Sequence, residues 1–146
     1  MPARVRQAVA VGESYELRPI GRVESSLRDR ASAPKQGRDG APDAWIAFDP
    51  AVEAGLADLL VGAEVLVLTW FDRASRDVLS TRPRDDPANP VTGVFSTRSP
   101  DRPNPIGLHR VRVLERDGPR VRVGPLEALD GTPVVDVKPV LEPADG

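Results

Sequence analysis

The sequence predicts a mostly-β protein, a small single-sheeted β-barrel of about seven strands with one or two short helices. Three observations lead there. Proline supplies 16 of 146 residues, roughly twice its usual share of about 5%. Because proline disfavours helix interiors and central strands, the elements must be short and joined by stiff loops. The last third of the chain alternates polar and apolar residues with a period of two, as half-buried strands do. Asp-Gly pairs at 117–118 and 130–131 punctuate that alternation with turn signals.

In chain order, residues 1–14 (MPARVRQAVAVGES) read as a flexible N-terminal tail. They lack the full apolar stretch and small-residue cleavage site of a secretory leader. Tyr15–Glu24 reads as a strand broken by Pro19, and Gly37–Pro42 as loop. Ala44–Phe48 alternates and reads as a strand. Asp49-Pro50 opens a helix: Asp49 caps it and Pro50 suits the first turn. Val52, Leu56, Leu59 and Leu60 form its apolar stripe and Gly62 ends it. Val65–Phe71 is a continuous apolar run, hence a buried strand. Asp72–Val91 is a long polar stretch carrying Pro83, Pro87 and Pro90, a length of loop that is usually functional or mobile. Thr92–Thr97 reads as a strand. Leu108–Glu115 and Arg120–Leu126 are the arms of a hairpin, with His109, Val111 and Val113 on one face and Leu108, Arg110, Arg112 and Leu114 on the other. Thr132–Lys138 is the last strand. The domain therefore covers 15–141, with a C-terminal tail at 142–146.

Composition excludes several chemistries. The chain has no cysteine, so disulfide scaffolds, cysteine-ligated zinc, iron–sulfur clusters and thiol nucleophiles are ruled out. His109 is the single histidine, which rules out a metal site built on several imidazoles, and no metal is expected. Aromatic residues make up 4%, too few for a platform that stacks single-stranded nucleic acid. No run of 18 apolar residues is present, so no membrane span is expected and the chain reads as cytoplasmic. Phosphate-binding P-loop, dinucleotide G-x-G-x-x-G, H-E-x-x-H and G-x-S-x-G motifs are all missing. A Ser–His–Asp triad would have to use His109, which reads as a surface or interface histidine within the hairpin.

A net charge of −2 conceals an uneven distribution. Residues 82–122 carry nine basic and five acidic groups, whereas 123–146 carry one basic and five acidic. Such a basic segment either presents a surface to a polyanion or pairs with acids of the same fold. Within it, Thr97–Leu108 (TRSPDRPNPIGL) holds three prolines, two arginines and an asparagine. That segment cannot form a ladder and must be a rigid loop, able to hold arginine forks against a ligand at small reorganisation cost. Asp130-Gly131-Thr132-Pro133, followed by Asp136 and Lys138, is a second tight turn ahead of a strand.

TRSPDRPNPIGL followed by LDGTPVVDVKP closely resembles the TrmO-type, TsaA-like family of S-adenosylmethionine-dependent tRNA N6-methyltransferases. RPIGRVESSL and APKQ resemble that family's first strand and following loop, and VEAGLADLLVGAEVLVLTWF its helix and central strand. The resemblance spans about residues 17–141 and implies the family's single-sheeted barrel, a homodimer with the cofactor pocket near the subunit interface, and N6-methylation of threonylcarbamoyl-adenosine at position 37 of tRNA. Carried over by motif, the S-adenosylmethionine contacts fall on Pro34, Lys35 and Gln36, on Phe71 and Asp72, on Arg98 and Leu108, and on Asp130, Gly131, Thr132 and Pro133. Asp72 and Asp136 are the proton-acceptor candidates. Arg82, Arg84, Arg102, Asn104 and Lys138 are the candidates for contact with RNA. Many members place histidine where this chain has Asp72, arginine at Lys35 and serine at His109, and longer members carry a further C-terminal domain. These departures keep two other readings open: a methyltransferase of the same fold with another acceptor, such as a small metabolite, and a non-catalytic barrel that binds the cofactor or RNA.

Overall fold

The computed structural model describes residues 12–31, 33–34 and 40–141. Most of the two expected tails, at 1–11 and 142–146, lies outside the described residues. Eight strands are present among them: β1 (Gly21–Glu24), β2 (Ala44–Phe48), β3 (Glu64–Trp70), β4 (Ser80–Thr81), β5 (Thr92–Gly93), β6 (Ile106–Asp117), β7 (Arg120–Gly124) and β8 (Pro133–Pro139). Six of them pair antiparallel in the order β1-β2-β7-β6-β3-β8. β8 returns to β1 at Gly21↔Val134 and Arg22↔Pro133, so the pairings run full circle. β4 and β5 form a separate two-stranded ribbon.

Alternation places the core. Val23, Ile46, Val67, Val113, Val121 and Val134 point inward and are almost completely buried, as the period of two requires when one face of a sheet is closed to water. β-branched residues suit that pleated, crowded face. The outer face is charged, and much of the charge is internally paired. Arg110 and Arg112 both hold Glu64, at 2.7 and 2.9 Å. Arg120 meets Glu24 at 3.2 Å, and Arg122 meets Asp43 and Glu115. Hydrogen bonding and charge from Arg110, with help from Arg112, hold the Glu64 carboxyl below its ordinary value. Part of the basic segment is therefore balanced by acids of its own fold.

Several sequence-based expectations need revision. The first strand is Gly21–Glu24, not Tyr15–Glu24, because Pro19 cannot donate to a ladder and the chain joins the sheet only after it. β3 alternates half-buried and buried residues, so it is buried on one face and not on both. The segment after Asp49 is a 3-10 helix, Pro50–Leu56, capped by Asp49 accepting from the Ala51 N–H at 2.9 Å. The helix ends at Leu56 and not at Gly62, so Leu59 and Leu60 lie beyond it: Leu59 packs against the core and Leu60 stands 69% exposed. Thr92–Thr97 divides into β5 and a 3-10 helix, Val94–Ser96. The stretch 72–91 is not structureless: it contains β4 and a 3-10 turn, Pro83–Asp85. The β6–β7 hairpin forms around Gly118, whose φ of +59° suits the expected turn.

Candidate functional site

The strands place two chain segments side by side at one end of the sheet. Pairing of β3 with β6 runs through Trp70↔Ile106, and one step beyond it the Phe71 N–H donates to Pro105 O at 2.8 Å. The loop leaving β3 therefore lies against the proline-rich arm that enters β6. A set of polar contacts locks the two together. Asp101 accepts from the Ser75 N–H at 2.9 Å and takes both prongs of Arg30, at 3.1 and 3.0 Å. The Arg30 hydrogen bonds hold the Asp101 carboxyl below the usual range, against a desolvation that pushes the other way, with aid from the Ser75 N–H and the Arg30 charge. Asp101 in turn raises Arg30. Arg76 donates to Pro103 O at 2.8 Å and to Asn104 Oδ1 at 2.9 Å while its guanidinium lies 5.0 Å over the Trp70 ring.

Arg102 turns inward. Its guanidinium donates to the carbonyls of Thr97, Ser99 and Val94, drawing the arm into a tight coil. A fork so occupied has little capacity left for a phosphate, which corrects the expectation that Arg102 faces RNA.

Between the arm, the 81–85 turn, the start of β6 and the segment 124–129 lies a cleft of about 850 Å³. That volume falls within the range of small-molecule and cofactor pockets. Pro34, Phe71, Asp72, Arg98, Leu108 and Thr132, far apart in the chain, all line it. Arg82 and Arg84 line it as well. Asp130, Gly131 and Pro133 are not among the residues that line it. Asp130 Oδ1 accepts from the Ser25 N–H at 3.0 Å and its Oδ2 meets Arg28 at 3.3 Å, while Gly131 supplies the φ of +84° that the turn needs. Asp136 is paired in register with Leu68 on the outer face and bridges Lys138 at 3.3 Å, outside the cleft. Asn104 also lies outside it. Lys35 and Gln36 are outside the described residues.

Two charged groups in the cleft are available. Among the described residues, Arg98 is the cleft arginine that makes no hydrogen bond or ion pair with the protein, and Asp72 is the cleft acid in the same condition. A cation and an anion left free in one concave site suit a zwitterionic ligand, and Phe71 and Leu108 add apolar surface.

A buried network behind the cleft was not expected. His109 is 2% exposed, not the surface or interface histidine suggested by its place in the hairpin. Its Nδ1 lies 2.6 Å from Glu127 Oε1 and its Nε2 lies 2.7 Å from Thr69 Oγ1. Phe71 meets the ring edge-on, with centroids 5.7 Å apart. The hairpin alternation already held the signal for His109, since it shares a face with the buried Val111 and Val113. No local pattern marked Glu127.

The tRNA-methyltransferase O N-terminal domain family matches residues 22–146. The chain belongs to this family. Among relatives, a probable S-adenosyl-L-methionine-binding protein of Archaeoglobus fulgidus is 47% identical over 85% of this chain, which spans 33% of that protein's length. An S-adenosyl-L-methionine-binding protein of the same organism is 43% identical over 84% of this chain and 86% of its own. The crystal structure of TrmO from Pseudomonas aeruginosa superposes with a TM-score of 0.71 at 26% identity, covering 91% of this chain and 59% of that one. These two relatives carry the name S-adenosyl-L-methionine-binding protein, and the chain spans only part of the length of the first of them and of the TrmO structure. Among the described residues, no helix is long and apolar enough to cross a membrane.

Proposed function

We propose that this chain is an S-adenosylmethionine-dependent methyltransferase that modifies N6 of threonylcarbamoyl-adenosine at position 37 of tRNA, working as a cytoplasmic homodimer. The observation that carries the reading is the pair of charges without a partner among the described residues, Arg98 and Asp72, in a cleft that also presents Phe71 and Leu108. The donor has a carboxylate, a cationic end and an adenine, and each finds a complementary group. Arg98 suits the carboxylate through a two-pronged hydrogen bond. Asp72 attracts the amine and the sulfonium, a stronger electrostatic match than a neutral histidine would give. Phe71 and Leu108 cover the adenine faces, and Pro34 and Thr132 add to the wall.

When bound, S-adenosylmethionine supplies an electrophilic methyl group. The protein then has to orient the acceptor nitrogen along the S–CH₃ axis and exclude water. Arg82 and Arg84, on the cleft rim, meet the RNA backbone, with Lys138 and Asn104 as more distant contacts. A second reading, transfer to a small metabolite, is favoured by the net charge of −2 and by the internal bonds of Arg82 to the carbonyls of Pro87 and Asn89.

The decisive test combines calorimetry of the chain with S-adenosylmethionine and mass spectrometry of tRNA from a strain lacking the gene. Binding together with loss of the methylated nucleoside is the expected result. No binding eliminates the methyltransferase readings. Binding with normal tRNA leaves the metabolite acceptor and the non-catalytic binding barrel.

A further inference from the structure

The buried network at the cleft wall has a direction. Glu127 lines the cleft and its side chain is 14% exposed, whereas the His109 side chain behind it is 1% exposed and Thr69, deeper still, is fully buried. A carboxylate can only accept, so the 2.6 Å contact requires His109 Nδ1 to carry the proton. In the neutral ring Nε2 then has a lone pair, which accepts from the Thr69 hydroxyl at 2.7 Å. Every group in this chain is oriented by the next. The ring itself is held by Phe71 edge-on and by Gly107, where a Cβ would lie 2.7 Å from Nε2 and 2.5 Å from Phe71 Cζ. The result is one carboxylate oxygen, Oε1, fixed by an immobilised imidazole. Among the described residues no protein group bonds the other oxygen, Oε2.

We propose that Glu127 takes the proton that the acceptor nitrogen gives up during methyl transfer, and that His109 and Thr69 are positioning residues that aim its free oxygen. The inference rests on the methyl-transfer reading above. In the step, the nitrogen lone pair forms the N–CH₃ bond as the S–CH₃ bond breaks. The sulfur keeps that bond's electron pair and becomes a neutral thioether, and the N–H proton passes to Glu127 Oε2. The imidazole continues to donate to Oε1 throughout, so no group has to move. Solvent reaching the cleft removes the proton afterwards. An exocyclic amine conjugated to a purine is a poor nucleophile, and an acceptor already in place removes its proton without reorganisation. The two other carboxylates considered are less suited. Asp72 is exposed at the start of a loop, with no group among the described residues to orient it, and Asp136 lies outside the cleft beside Lys138.

The experiment has two arms. Glu127→Gln preserves shape and the contact to Nδ1 but removes the basic oxygen. Equilibrium binding of S-adenosylmethionine is expected to be unchanged, which also shows that the variant is folded, while single-turnover methylation of tRNA falls by about 10²–10⁴-fold. Glu127→Asp restores part of the rate. Near wild-type transfer by Glu127→Gln overturns the proposal, and so does a loss of donor affinity in a folded variant, which would make Glu127 an anchor for the donor. The second arm needs no variant. His109 is the single histidine, so its imidazole ¹⁵N signals are assigned without ambiguity in the free wild-type chain. The Nδ1–H tautomer is expected. The Nε2–H tautomer would mean a protonated Glu127 donating to Nδ1, unable to take a further proton, and would end the proposal. A wild-type chain that binds the donor but methylates no tRNA removes the parent reading instead, and leaves the tautomer result standing.

Discussion

Gly107 shows how tightly the site is packed. A single added carbon there would overlap Thr69 Oγ1 and press on Phe71 and His109 at once. Gly107→Ala should destabilise the chain by about 1–3 kcal/mol, the usual cost of overpacking, read from the midpoint of denaturant unfolding. An unchanged midpoint would show that the ring and the hydroxyl can give way. Arg98 lies at the other extreme, since it has no partner among the described residues. Arg98→Ala should leave stability alone and weaken S-adenosylmethionine binding by about 1.5–3 kcal/mol by calorimetry, the range for a hydrogen bond to a charged group. Affinity equal to wild type would move the carboxylate interaction elsewhere. At this scale the sequence was informative where a residue type had no structural use. Arg98 and Asp72 were assigned through the family's motifs, and neither is paired among the described residues. Arg102 looked equivalent to Arg98 by residue type, but its carbonyl partners become visible only once the arm is coiled.

The proline-rich arm is the element on which the cleft depends. Its shape is set by φ-restricted residues, but its position is set by the Asp101 clasp on Arg30 and Ser75. Asp101 has its folded value lowered, so the stabilisation is complete above the ordinary carboxylate value of about 3.9 and is lost as pH falls through the lower folded value. Acidification into that window should free the Ser75 amide, lowering its protection relative to the intrinsic exchange rate at the same pH, while the β6–β7 amides stay protected. Asp101→Asn should show the faster Ser75 exchange at neutral pH and lose the acid dependence. Equal Ser75 protection in the two proteins at neutral pH would show that the clasp is not what holds the arm. The β6–β7 hairpin was readable in advance because period-two alternation and a turn pair are local properties. The short β4–β5 ribbon was not, because two-residue strands have no period to detect.

For the molecule as a whole, charge location matters more than the net value of −2. Arg120 and Arg122 pair with acids across the sheet and Arg110 and Arg112 with Glu64 at the cleft, where Arg82, Arg84 and Arg98 also stand. tRNA affinity should therefore fall steeply with salt. Arg82→Ala combined with Arg84→Ala should shallow the log–log slope by about two, near one unit for each phosphate that is no longer neutralised. An identical slope in a filter-binding titration would place the RNA on another face. By itself the sequence determined a mostly-β fold, the strands that carry its core, the family, and several of the residues that line the cleft. These follow from side-chain periodicity and from short motifs, which are written along the chain. Tertiary structure alone decided that His109 is buried, that Glu127 stands at the cleft wall in front of it, and that Arg102 is bound within the arm while Asp101 clasps Arg30. The long-range pairs among these join residues 18 to 71 positions apart, and a partner at that distance leaves no mark on the local pattern.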